Sequence, residues 1–271
     1  GGRAAVQARP VELAVTATQL PKAPLAPRRD PAAVWTGREL IVWGGWAGNQ
    51  AASQAFADGA AYNPETGRWR GLAPAPLSAR SAPVAVWTGR EMVVWGGNDP
   101  ARGRAGNALL DGAAYDPVSD SWRRIASAPA GSARSFGKAV LAQGRMVIGS
   151  GQDPTSGPRT ASLLVYDLAR DRWQRLPGGD PVYDLAATGR EVALATIDPG
   201  TGQLRFRSVD VSNGRSRLLP DFPVSTRPDT VGVERVGLVF LFAPHAEYAR
   251  AGSGEQVTEF KSMVKALHAV G

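Results

Sequence analysis

The sequence predicts an all-β chain, a β-propeller of four-stranded antiparallel blades, on three observations. First, Ala33–Gly45 (AVWTGRELIVWGG) returns as Ala85–Gly97 (AVWTGREMVVWGG), a shift of 52 residues. Second, Trp69, Trp122 and Trp173 recur at intervals of 53 and 51 residues. Third, short apolar runs alternate with Gly, Pro, Asn and Asp along the chain, the punctuation of a protein rich in strands and turns. A period near fifty residues built of strands and tight turns is a propeller pattern. One such blade cannot bury both its faces alone, and a ring of blades buries them against each other and leaves only short edges.

Each element follows in order. Residues 1–10 read as a flexible lead, and Val11–Thr18 as a strand, from its β-branched and small residues. Leu20–Arg28 matches Leu72–Arg80, again 52 residues on, so the sequence opens in the last quarter of a repeat. Ala32–Trp35 is strand a, Thr36–Arg38 its turn and Leu40–Trp43 strand b. Gly37 supplies the positive φ that such a turn requires. Gly44 and Gly45 end strand b where the chain bends close to a neighbour. A loop over residues 46–58 leads to strand c at Gly59–Tyr62, a turn at Asn63–Gly67 and strand d from Arg68.

The second repeat has strand c at Ala113–Tyr115, a turn at Asp116–Asp120, and Trp122 opening d. The third places a and b at Val140–Leu141 and Met146–Gly149, c at Leu164–Asp167 and d from Trp173. The fourth has lost its tryptophan: Ala187–Leu194 echoes the a–b hairpin, Leu204–Val211 is c and Arg217–Leu219 is d. A fifth a–b pair is expected at Thr230–Val233 and Gly237–Phe242. Beyond Pro244 two readings stand. Val257, Phe260, Val264 and Leu267 fit a short amphipathic helix over 256–268, or Glu255–Phe260 is the fifth strand c. The expected blade units are 28–79, 80–133, 134–180, 181–224 and 225–271, with residues 11–20 completing the fifth and closing the ring as a single domain.

This grammar resembles the kelch-repeat β-propeller family, of which the central domain of galactose oxidase is one member. The shared marks are Gly44-Gly45 and Gly96-Gly97 after strand b, Tyr62, Tyr115 and Tyr166 in strand c, and Trp69, Trp122 and Trp173 opening strand d. The match covers about residues 20–180 well and 181–244 loosely, since the fourth and fifth repeats lack the double glycine and the tryptophan. Counting a–b hairpins gives five blades, and the resemblance implies closure of the last blade by the N-terminal strand and blade-to-blade packing roles for the tyrosines, tryptophans and paired glycines.

Composition narrows the function. The chain has no Cys, which excludes disulfides, thiol catalysis and Cys-ligated metal. The resemblance to galactose oxidase therefore carries no copper site, because that centre needs a cysteine. His245 and His268 are the two histidines, both in the weakly patterned tail, so neither a His-rich zinc site nor a Ser/His/Asp arrangement is expected. No cofactor and no metal are expected. The net charge is +7, and 27 of the 31 basic residues are arginine. Coding bias in a GC-rich genome accounts for that excess, or bidentate pairing with carboxylates and phosphates does. The arginines are scattered without basic runs, which argues against nucleic acid. No run of 18 apolar residues offers a membrane span. The expected protein is a monomer of the extracellular space or the bacterial cell envelope, although no signal peptide is visible in this sequence.

The long connections locate the working face. The a–b and c–d turns are minimal, whereas the b–c loops 46–58, 98–111 and 151–161 are long. The b–c and d–a connections emerge at the same end of a propeller, and binding residues collect on long loops held by a rigid scaffold. Arg28, Arg29, Arg80, Arg134 and Arg227 stand at d–a junctions, with Tyr183-Asp184 breaking the series. Two roles are open for them. They form a cationic ring gripping an acidic peptide or anionic sugar through charge-assisted hydrogen bonds, or each ties down its own blade. Trp46 offers a stacking surface or anchors its loop by packing, and Asp99 and Asp153 hold matching places in b–c loops, as ligand contacts or as turn formers. The candidate ligand-binding set is thus Arg28, Arg29, Arg80, Arg134, Arg227, Trp46, Asp99 and Asp153, with no catalytic residue. A non-catalytic module binding a protein or an anionic glycan is the leading function. A carboxylate/arginine enzyme acting on an anionic sugar, like the sialic acid epimerases with a kelch-type propeller, is the alternative.

Overall fold

The computed structural model describes residues 20–48, 53–99, 108–134, 137–149, 162–177, 181–189, 191–198, 200–201 and 203–219. The N-terminal strand Val11–Thr18, the fifth a–b pair, the segment 256–268, Asp153 and Arg227 lie outside the described residues. Within them there is no helix, and four antiparallel sheets of four strands follow one another along the chain.

The first sheet is β1 (Ala32–Trp35), β2 (Leu40–Trp43), β5 (Gly59–Asn63) and β6 (Arg68–Gly71), in that order. Between β2 and β5, β3 (Trp46–Gly48) and β4 (Ser53–Ala55) form a separate two-stranded ribbon, where the sequence suggests a plain loop. The second sheet is β7 (Val84–Trp87), β8 (Met92–Trp95), β9 (Gly112–Asp116) and β10 (Ser121–Ile125). The third is β11 (Lys138–Ala142), β12 (Arg145–Gly149), β13 (Ser162–Asp167) and β14 (Arg172–Pro177). The fourth is β15 (Val182–Ala187), β16 (Val192–Ile197), β17 (Leu204–Val209) and β18 (Ser216–Leu218). These are the blades of a propeller. β1 packs on β7, β7 on β11 and β11 on β15. The first strand of each blade therefore lies innermost.

Three apolar clusters fill the three seams between these blades. Ile41, Trp43, Met92 and Val94 belong to the first seam, Val93, Trp95, Met146 and Ile148 to the second, and Val147, Leu163, Leu185 and Leu194 to the third. Strand alternation explains the division: Val93 and Val94 are neighbours in β8 and point into opposite seams. Burying a side chain of this size contributes about 1.5–3 kcal/mol.

The repeated tryptophan of strand d fastens each seam with its polar end. Trp122 stacks on Tyr115 of its own blade at 4.9 Å and on Trp43 of the preceding blade at 5.7 Å. Trp173 repeats this with Tyr166 and Trp95, at 4.8 and 5.1 Å. The indole Nε1 of Trp69, Trp122 and Trp173 donates to the carbonyls of Pro21, Ala73 and Ala126, at 2.9, 2.9 and 2.7 Å. Each acceptor lies in the d–a linker that precedes the blade. All three indoles are half-buried, between the blades as their repetition suggests, with the ring edge reaching the surface.

A polar chain runs beside each stack. Tyr115 Oη donates to Asp120 at 2.5 Å, and Asp120 accepts the Ala73 N–H at 3.0 Å. Tyr166, Asp171 and the Ala126 N–H repeat the motif at 2.6 and 2.8 Å. Blade one has lost both ends together. Gly67 stands in place of the aspartate, and Pro21, which has no N–H, in place of the alanine. Tyr62 Oη is consequently buried without a hydrogen-bond partner among the described residues.

These chains set a pH window. The Tyr115 hydroxyl and the Ala73 N–H hold Asp120 below the usual carboxylate range, and the Ala126 N–H and Tyr166 do so for Asp171. Burial pushes Tyr115 up to about 12. A depressed carboxylate stabilises the fold above its unfolded pKa, near 4, and that stability is lost as pH falls through the folded value. A raised tyrosine contributes stability that is complete below about pH 10, its unfolded pKa, and is lost as pH rises toward the folded one. Thermal unfolding followed across pH should show a plateau between about pH 5 and 9 and a decline on both sides. Asp120→Asn should flatten the acid limb. An acid limb identical to wild type in that variant refutes the assignment.

The blades are not copies. In blades one and two the last residue of strand b is tryptophan and its cross-strand partner is glycine: Trp43 faces Gly59 and Trp95 faces Gly112. A methyl group on Gly112 would lie 2.5 Å from the Val94 carbonyl oxygen and 2.9 Å from the Ile125 side chain. In blade three the large and small residues change places. Gly149 takes the tryptophan's position, and a side-chain carbon of Leu163 lies 3.0 Å from where its Cβ would be. The seam stays filled because the volume moves across the strand pair rather than disappearing.

Candidate functional site

Among the described residues, the d–a junctions meet the ends of the strands b and the starts of the strands c, and there the junction arginines lie. Arg28 donates from Nη1 and Nη2 to both carboxylate oxygens of Asp58, at 2.8 and 3.2 Å, and from Nη1 to the Gly44 carbonyl at 3.1 Å. Its guanidinium also covers the Phe56 ring at 4.1 Å. Arg80 repeats the arrangement in blade two, fully buried. It donates to Asp111 at 2.9 and 3.2 Å, to the Gly96 carbonyl at 3.2 Å and to the Ser78 carbonyl at 3.0 Å. Each guanidinium therefore ties the d–a linker to the end of strand b and the start of strand c in its own blade. Of the two roles open from the sequence, the tether is the one Arg28 and Arg80 perform. The hydrogen bond from Arg28 is the main cause holding the Asp58 carboxyl below its ordinary range.

Arg134 is buried at the same place in blade three, and its Nη2 donates to Ser162 Oγ at 2.9 Å. Ser162 precedes Tyr166 by four residues, as Asp58 precedes Tyr62 and Asp111 precedes Tyr115. The aspartate was missed in the sequence, although Asp-Gly-Ala-Ala-Tyr recurs at 58–62 and 111–115 and could have been found there. In blade four Asp184 is buried at the start of the innermost strand and meets Lys138 of the preceding blade at 2.9 Å. A salt bridge between innermost strands thus stands where the arginine series breaks.

Arg29 and Trp46 form a different unit. The Arg29 guanidinium lies 4.2 Å over the Trp46 ring, and its Nη2 donates to the Gly48 carbonyl at 2.6 Å. Trp46 Nε1 donates to Asp30 at 2.8 Å. The backbones of Arg29 and Trp46 exchange hydrogen bonds of 2.8 and 2.9 Å. The β3–β4 ribbon is therefore rooted on the d–a linker, and a second anchor joins it to blade two, where Arg80 N donates to the Phe56 carbonyl at 3.1 Å. Trp46 is a packed anchor with a partly exposed face. Asp99 is half-buried just after the second double glycine. Among the described residues, no three His, Cys, Asp or Glu side chains gather to hold a metal ion. Among them, too, no helix is long and apolar enough to cross a membrane.

Blade repetition, seam tryptophans and arginine tethers all describe one architecture, and comparison with known families agrees. Residues 10–195 match the model of the KLHDC2/KLHL20/DRC7 Kelch-repeats domain. The chain belongs to the kelch-repeat family. Three curated relatives are F-box/kelch-repeat proteins of Arabidopsis thaliana. At1g80440 is 29% identical over 41% of this chain, and At1g15670 is 30% identical over 41%. At1g22040 is 27% identical over 43%. The aligned stretch spans 31%, 31% and 25% of those relatives' own lengths, so the likeness concerns a minor part of each.

Proposed function

We propose that this propeller is a non-catalytic protein-binding module that uses its loop face. The observation that carries the proposal is the β3–β4 ribbon, a structured excursion of a b–c loop held at two points on that face. A loop anchored at its base loses less conformational freedom on binding, which favours affinity. The arginine tethers support the same role by fixing the roots of the long loops. They favour a protein over an anionic glycan, because the Arg28 and Arg80 donors already serve Asp58, Asp111 and backbone carbonyls. The relatives named F-box/kelch-repeat proteins fit a module of this kind.

The test is an array of peptides and sialylated glycans probed with wild type, Gln54→Arg and Trp46→Ala. Gln54 is exposed on β4, so its substitution should leave melting unchanged. Peptide hits weakened roughly tenfold or more by Gln54→Arg are expected, in line with loss of about 1.4 kcal/mol at a contact. Binding to glycans alone, or hits indifferent to both substitutions, overturns the proposal.

A further inference from the structure

The opposite end of the ring, formed by the tight turns, carries a second feature that neither the tethers nor the ribbon explain. A groove of about 500 Å³ lies between blades one and two. Its floor and walls include Trp87, Pro117 and Val118, and its cations are Arg38, Arg70 and Arg90. We propose that this groove docks an acidic peptide segment of a partner protein, one that inserts an apolar side chain between Trp87 and Val118.

Charge complementarity is the first argument. Three arginines and one carboxylate, Glu39, line the groove, a formal balance of 3 − 1 = +2, with Asp120 and Asp116 behind Arg70 and Arg90 at 3.7 and 3.6 Å. Arg70 neutralises Glu39 by a two-point contact at 2.8 and 3.2 Å and donates across the seam to Tyr115 Oη at 2.8 Å. That fixes Arg70 and leaves Arg38, together with a loosely held Arg90, for a ligand. Arg38 is exposed, and its guanidinium makes no ion pair among the described residues. Arg90 has an 81% exposed side chain and reaches Asp116 only at 3.6 Å.

Val118 is the second and independent argument. It is 93% exposed at the tip of the c–d turn. That turn is built by Asp116, whose carboxylate accepts the Val118 and Ser119 N–H groups at 2.8 and 3.4 Å. The equivalent residue in the other three blades is Glu65, Ala169 or Ser212, so the turn itself does not call for a valine. An apolar residue placed on the surface without a structural need, beside a tryptophan and between exposed cations, has the composition of a recognition site. The second seam lacks the aromatic floor, since Leu141 stands where Trp87 stands in the first.

The experiment measures fluorescence anisotropy of a labelled decapeptide of Asp and Glu with one central Phe, against the whole chain. Two control peptides replace Phe by Gly, or the acids by Asn and Gln. Arg38→Glu, Arg90→Glu and Val118→Asp change exposed turn residues, and circular dichroism confirms the fold of each. Expected are binding that weakens as salt rises, at least a tenfold loss in each charge-reversal variant, a comparable loss in Val118→Asp, and unchanged binding in Gln54→Arg on the loop face. Either control peptide binding as well as the parent overturns the proposal. So do a loss caused by Gln54→Arg instead of the groove substitutions and an absence of binding by wild type. The outcome is independent of the loop-face proposal, which the array tests separately.

Discussion

Replacing Trp95 by alanine should destabilise the propeller by about 3–5 kcal/mol, the range for a large aromatic removed from a packed core. Trp95 is 1% exposed at the end of β8. It is stacked at 5.1 Å on Trp173 of the next blade, and its Nε1 donates to the Leu110 carbonyl at 2.9 Å. The glycine opposite cannot move in to fill the space, because it has no side chain. The lost indole leaves a cavity, and the Leu110 carbonyl keeps only the Ala128 N–H, at 2.9 Å, so the cavity carries most of the cost. In blade three the same position is glycine, and there Leu163 fills the space from the opposite strand. Replacement in that direction is not open to blade two as it stands, since a Cβ on Gly112 meets backbone at 2.5 Å. Urea unfolding of Trp95→Ala, Gly112→Leu and the double variant should give a double-variant loss smaller than the sum of the single losses. A Trp95→Ala midpoint within the scatter of wild type refutes the seam description, and strict additivity refutes the volume exchange.

How far the sequence reaches can be judged from the same residues. The Tyr–Trp pair is legible because the first three blades repeat the same contact, so Tyr62, Tyr115, Tyr166 and Trp69, Trp122, Trp173 return at a nearly fixed interval, while the double glycine returns only in the first two. Strand limits in the first three repeats follow from it within one or two residues. The β3–β4 ribbon is not legible. Its strands pair Trp46-Ala47-Gly48 with Ser53-Gln54-Ala55, and neither has the alternation or β-branched content that marks a strand. Its pairing depends on anchors at Arg29, Asp30 and Arg80 that are distant in sequence. The exchange of Trp–Gly for Gly–Leu in blade three is a property of two facing strands and disappears when each is read alone. The turn-face groove was also beyond reach. The sequence directs attention to long loops, whereas Arg38, Arg90 and Val118 sit in turns of minimal length, and only the packing of adjacent blades brings them together. The arginine series lay between these cases: its recurrence was plain, but its role depended on the aspartate 30 or 31 residues further on.

Arg80→Met should cost about 3–5 kcal/mol, as expected when one partner of a buried ion pair is removed. The guanidinium is completely buried, and its donors serve five acceptors besides Ser78 Oγ: the carbonyls of Ser78, Gly96 and Asp111 and both Asp111 carboxylate oxygens. Methionine fills similar length and meets none of them. Asp111 is 33% exposed and Ser78 lies at the surface, so water relieves part of their loss, whereas the Gly96 carbonyl is buried. Arg80→Lys should recover less than half of the stability, because one ammonium cannot reproduce a planar fork engaged on both edges. Asp111→Ser, which copies the Arg134–Ser162 pair of blade three, should be the mildest of the three. Chemical unfolding orders them, and hydrogen exchange at the Gly45 N–H, bonded to the Arg80 carbonyl at 3.0 Å, reports whether the corner opens first. The same variants separate tether from ligand contact. A stable Arg80→Met protein that loses a partner found on the array assigns the guanidinium to the ligand and overturns the tether. An unstable one, with Gly45 exposed to exchange while Gly214 in blade four stays protected, assigns it to the blade.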